Sequence, residues 1–143
     1  MPRPEQPRRA GFTALRSLQT RWADNDSYGH LNNAAYFSLF DTAISLWQID
    51  QGIVIDGPAP TRLLVVENGC TYFAECGFPD VLQVGLRLAH LGRTSFRTDI
   101  ALFRNDDDAA AACGFFTQVH VDAAGHPAPL PDHLRACLSS LTA

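Results

Sequence analysis

Between Asp24 and Asn33 the chain reads Asp-Asn-Asp-Ser-Tyr-Gly-His-Leu-Asn-Asn, immediately ahead of an apolar run from Ala34 to Ile49. If that run is a helix, its first backbone N–H groups have no internal partners, and the helix dipole adds partial positive charge beside them. An oxyanion developing on a substrate carbonyl would be stabilised there. A carboxylate from Asp24 or Asp26 could then attack the carbonyl or take a proton from an attacking water. Together these are the parts of an acyl-transfer or hydrolysis site.

Each of these residues also has a purely structural use. Asp24 and Asp26 suit the N–H groups of a turn. His30 can pack as a hydrogen-bonded neutral imidazole. Asn32 or Asn33 is a natural N-cap, although a cap's own backbone N–H can still polarise a carbonyl. Gly29 supplies a positive φ or a close backbone approach under either reading. A metal site built from Asp24, Asp26 and His30 is disfavoured, because no further ligands stand nearby in the sequence to complete a coordination shell.

The elements that must position this segment follow from periodicity. Leu18, Thr20 and Trp22 alternate with polar residues, which predicts a half-buried strand over 13–23. In the apolar run, Tyr36, Phe37, Phe40, Ile44 and Trp47 cover most of the circumference. Ser38, Asp41, Thr42 and Ser45 leave one narrow polar stripe. A helix so apolar must be buried on most sides. Breaks at Gly52 and over 56–60 precede strands at 62–74, 81–90, 94–104 and 111–121, whose connecting turns favour antiparallel neighbours. A short helix over 131–141 closes the chain. The simplest packing is an α+β fold, one curved antiparallel sheet of about five strands wrapped around a long central helix. Its free edges favour self-association.

Length and charge bound what such a fold can serve. The 143 residues, 46% apolar and 18% charged, fit one domain with one core. Residues 1–12, rich in Pro and Arg, read as a flexible arm and 13–143 as the domain. A net charge of −4 gives no general attraction to nucleic acid. No stretch is apolar enough to span a membrane or to serve as a secretory signal, so a cytoplasmic setting is expected. All 11 cations are Arg, which excludes a Schiff-base lysine and leaves fork-shaped donors suited to phosphate. Cys70, Cys76, Cys113 and Cys137 form no CxxC pair and read as buried thiols.

The stretch WADNDSYGHLNNAAYFSLFDTA, Trp22 to Ala43, resembles the signature of the 4-hydroxybenzoyl-CoA thioesterase family of hotdog-fold proteins. In that family a D-x-D-x-x-G-H-x-N-N pattern precedes a Y-x-x-x-F-(D/E) helix. The resemblance implies acyl-CoA hydrolysis with no cofactor beyond the CoA of the substrate, by a homodimer or a dimer of dimers with its site at a subunit boundary. It makes Asp26 the catalytic carboxylate, as nucleophile or general base, and places the polarising backbone N–H at about Asn33. Gly29, His30 and Asn32 would shape the thioester pocket, and Arg93 and Ser95 would meet the CoA nucleotide. Many relatives carry a Pro after the Tyr-Phe-Ala that here is Tyr72-Phe73-Ala74, where this chain has Glu75. Another branch of hotdog thioesterases uses a Glu from a different element, for which Glu67 is the candidate. A non-catalytic acyl-CoA binding module with the same fold is the alternative reading.

Overall fold

The computed structural model describes residues 2–142. The elements are β1 (Ala14–Gln19), α1 (Asn33–Asp50), β2 (Arg62–Tyr72), β3 (Val81–Leu91), β4 (Ser95–Arg104), β5 (Ala112–Val121) and α2 (Asp132–Ser139). The strands form one sheet in the order β1-β3-β4-β5-β2, with every neighbouring pair antiparallel. The architecture is the α+β hotdog arrangement that the sequence resemblance implied.

With 18 residues, α1 is about 27 Å long. Tyr36, Phe40, Ala43, Ile44 and Gln48 form its buried stripe, while Ser38, Asp41 and Thr42 face outward. Phe40 is wholly buried and meets the sheet at Gly114. A Cβ at Gly114 would lie 2.5 Å from the Gly69 carbonyl oxygen and 2.9 Å from the Phe40 ring, so glycine lets helix and sheet close. β2 forms one end of the sheet, and a bulge interrupts its register between Val65 and Glu67. Leu64, Val65 and Val66 are exposed along it.

Two expectations are corrected. The first strand ends at Gln19, because the Thr20 hydroxyl and N–H both turn to the Asp80 carbonyl. The chain then enters a 3-10 turn, Trp22–Asp24, with Trp22 left 76% exposed. The N-terminal segment expected to be a flexible arm is instead laid along the outer face of the sheet. Pro7 accepts from the Ala110 N–H at 2.9 Å, and the Arg9 N–H donates to the Asp108 carbonyl at 2.8 Å. Phe12 is buried edge-on against Phe103, over the space that Gly85 leaves. One aromatic anchor at residue 12 supplies the burial that the proline-rich composition lacked.

Candidate active site

The polar segment ahead of α1 is pinned from both ends. The Asp24 carboxylate accepts from the Arg21 N–H at 2.8 Å and from the Arg21 guanidinium at 2.8 and 3.2 Å. Those hydrogen bonds, led by the one from the Arg21 side chain, hold the Asp24 carboxyl below the usual carboxylate range. The Asp24 carbonyl accepts from the Asn32 N–H at 2.8 Å, and the Leu31 N–H donates to the Cys76 carbonyl at 2.7 Å. Asn25 Oδ1 accepts from the Phe78 N–H at 3.0 Å. The β2–β3 connection thus clamps the segment at two points.

Asp26 stands at the centre of this frame. Its Oδ1 accepts from the Tyr28 N–H at 2.8 Å and from the His30 N–H at 3.2 Å. Its own N–H donates to the His30 carbonyl at 2.7 Å, and Gly29, with φ 79°, closes the turn. Oδ2 of Asp26 has no hydrogen-bond partner among the described residues and remains available for chemistry. Asn32 caps α1, its Oδ1 accepting from the Ala34 N–H at 3.0 Å. The Asn33 N–H, one turn too early for an intrahelical acceptor, has none among the described residues.

Asp26, His30, Asn32 and Asn33 form one wall of a cleft of about 450 Å³. Leu31 and Tyr36 lie beneath, and the chain from Tyr72 to Glu75 forms the opposite wall. His30 Nε2 lies 3.0 Å from Glu75 Oε2, and the Tyr36 and Tyr72 rings meet edge-on at 4.8 Å between centroids. Burial pushes the Tyr36 phenol well above its ordinary value and that of Tyr72 up to about 12. Both stay neutral and protonated at physiological pH. Burial likewise pushes the Cys76 thiol beside Tyr36 up to about 11, far from a nucleophilic thiolate. The cleft therefore joins a carboxylate oxygen of Asp26 to a backbone donor at a helix start, each without a partner among the described residues, beside two neutral phenols and the His30–Glu75 pair.

The candidate residues divide between two places. Asp26, His30, Asn32 and Asn33 come together, with Gly29 behind Asp26 in the turn. Arg93 and Ser95 do not join them. Ser95 pairs with Val119 and Leu64 with that same Val119, whereas Tyr72, at the cleft, pairs with Ala112. The β3–β4 hairpin thus lies about 24 Å away along the sheet within one chain, counting from Ala112 to Val119 at 3.4 Å per residue. Glu67 is exposed on β2 and stands outside the cleft. Sequence reasoning missed the wall from Tyr72 to Glu75 as site residues. In the sequence Glu75 stands out only as a departure from the family's pattern after Tyr72-Phe73-Ala74, and it reaches His30 because the chain beyond β2 is held to the polar segment by the Leu31 N–H on the Cys76 carbonyl.

Comparisons with known proteins give the family and the fold. Residues 20–138 match the model of the thioesterase-like superfamily. The PA5185 protein of Pseudomonas aeruginosa is 38% identical, with a TM-score of 0.92 over 97% of this chain and 98% of that one. A thioesterase from Thermus thermophilus, solved with coenzyme A and Zn, is 28% identical with a TM-score of 0.73, over 92% of this chain and 95% of that one. A 1,4-dihydroxy-2-naphthoyl-CoA thioesterase from Synechocystis, at 19% identity and a TM-score of 0.81 over 89% and 96% of the two chains, shares the fold. No curated protein matches. A family match over most of the length, on a hotdog framework that presents a carboxylate beside a helix start, makes this chain a member of the thioesterase-like superfamily.

Proposed function

We propose that the protein hydrolyses an acyl-CoA thioester to the free acid and coenzyme A. The observation that carries this reading is the meeting of Asp26 Oδ2 and the Asn33 N–H in one cleft, each without a partner among the described residues. The Asn33 N–H, backed by the α1 dipole, polarises the thioester carbonyl and takes up the oxyanion of the tetrahedral intermediate. Asp26 Oδ2 either attacks the carbonyl, giving an anhydride that water opens, or removes a proton from the attacking water. The two N–H donors on Oδ1 fix the carboxylate for either route. CoA as the thiol carrier is taken from the coenzyme A bound to the Thermus relative.

Two copies complete the site. β2 is an open edge with Leu64, Val65 and Val66 in solvent, which favours antiparallel pairing of β2 with β2 of a second copy. A two-fold axis near the middle of β2 carries the Arg93 and Ser95 hairpin of one copy toward the Asp26 cleft of the other. CoA, whose phosphates lie far from its sulfur, would then be a common ligand for the separated residues.

Thiol release from a panel of acyl-CoA esters tests the reading. Asp26→Asn keeps shape and most hydrogen bonding but can neither attack nor accept a proton, so release should fall at least about 100-fold while binding survives. Turnover near the wild-type rate in Asp26→Asn, with Glu67→Gln inactive, would move the chemistry to β2. Acyl-CoA binding without release by the wild-type protein would support the binding-module alternative.

A further inference from the structure

A second cavity, of about 300 Å³, opens between α1 and the start of β2. Its walls are apolar at Ile44, Ile55 and Leu63, yet Gln48 of α1 and Gln118 of β5 also line it. Both glutamines are buried, at 5% and 4% exposure, and neither Gln48 Nε2 nor Gln118 Oε1 has a hydrogen-bond partner among the described residues. Buried amides are ordinarily paired, because an unmade bond forfeits the hydration given up on folding. Two of them around one cavity mark a place built for a polar guest.

The pairing proposed above sets where that guest comes from, and the following inference rests on it. In an antiparallel β2–β2 pair, residues near the start of one strand face those near the end of the other. The cavity borders Leu63 to Val65 at the start of β2, and the Asp26 cleft borders Tyr72 at its end. The cleft of one copy then opens toward the glutamine cavity of the other. We propose that this cavity receives the far end of the acyl group. That end carries an uncharged group able both to donate and to accept a hydrogen bond, a hydroxyl or a carboxamide. The amides supply both complements, since each glutamine side chain has a donor and an acceptor end. Asp41 and Arg62, one of each charge, also line the cavity wall, so neither a carboxylate nor a cation is favoured there.

Hexanoyl-CoA and 6-hydroxyhexanoyl-CoA form a matched pair of probes. The wild-type protein should prefer the hydroxylated ester by at least about tenfold in kcat/KM, since a site built to hydrogen-bond a hydroxyl rejects the analogue lacking it. Gln48→Met and Gln118→Met nearly preserve volume and remove the amides, and each should lower that ratio by at least about fivefold. Equal kcat/KM for the two esters in the wild-type protein, or a ratio unmoved by both substitutions, overturns the proposal. Thiol release from neither ester, nor from any other on the panel, would instead count against the hydrolytic reading. Calorimetry with free 6-hydroxyhexanoate and hexanoate then decides the cavity by itself. Tighter binding of the hydroxy acid, weakened by Gln118→Met, upholds it, and indistinguishable or absent binding overturns it.

Discussion

Asp24 and Asp26 stand two positions apart, and their carboxylates meet different partners. Both oxygens of Asp24 are taken by Arg21, whereas Asp26 spends one oxygen on the turn and keeps the other free. The spacing singled out both acids, and the resemblance chose between them. The hydrogen bonds supply the physical difference. Because the Asp24 carboxyl is held below its ordinary value, its contribution to stability is full above the unfolded pKa, about 3.9, and is lost as pH falls through the lower folded value. Asp24→Asn should therefore cost about 1 kcal/mol at neutral pH, a modest figure because Arg21 is exposed to water. Urea denaturation should show the gap between wild type and variant narrowing in acid. A gap that persists below about pH 2.5 would argue against an ionised Asp24 as its source.

At the scale of elements, the sequence located α1 to within a residue at each end, because a capping asparagine and a sustained apolar run are local signals. It overran β1, since the alternation through Thr20 and Trp22 continues after the strand hydrogen bonds have stopped. The role of Gly114 could not be read at all. Only the packed sheet shows that its missing Cβ admits both the Gly69 carbonyl and the Phe40 ring. Gly114→Ala should destabilise the fold by about 2 to 3 kcal/mol, as overpacking against backbone does, and a lowered urea midpoint at unchanged slope would show it. An unchanged midpoint would mean that helix and sheet can part at no cost. Gly125→Ala tests a different effect, because that position has open space but φ 86°.

For the whole molecule, the decisive quantity is which copy supplies which residue. If Arg93 serves the site of the other copy, Arg93→Ala should raise KM with less effect on kcat, since a remote phosphate contact is nearly the same in ground and transition states. Mixing Asp26→Asn with Arg93→Ala chains adds a sharper outcome. In a mixed dimer one site then combines both changes while the other regains Asp26 and Arg93 together. Under limiting acyl-CoA, activity should rise above the sum of the two separate variants once subunits have exchanged. No gain after verified exchange would place Arg93 in its own chain's site or in none. Sedimentation at micromolar concentration should give at least a dimer, and an active monomer would remove the shared site altogether.

The order of elements, the helix that must be buried and the chemistry-bearing segment at its start were all legible in the sequence. Each depends on spacing over a few residues, where backbone geometry fixes what neighbours can do. The tertiary structure alone decided what lies opposite that segment. Glu75 reaches His30 because the Leu31 N–H is tied to the Cys76 carbonyl, and Tyr72 at the end of β2 meets Tyr36 of α1. It also decided that Phe12 anchors the N-terminal segment and that Gln48 and Gln118 share one cavity. These pairs are brought together by strand register and helix packing. Such long-range contacts leave no trace in local composition, because any of many registers is compatible with the same alternation of apolar and polar residues.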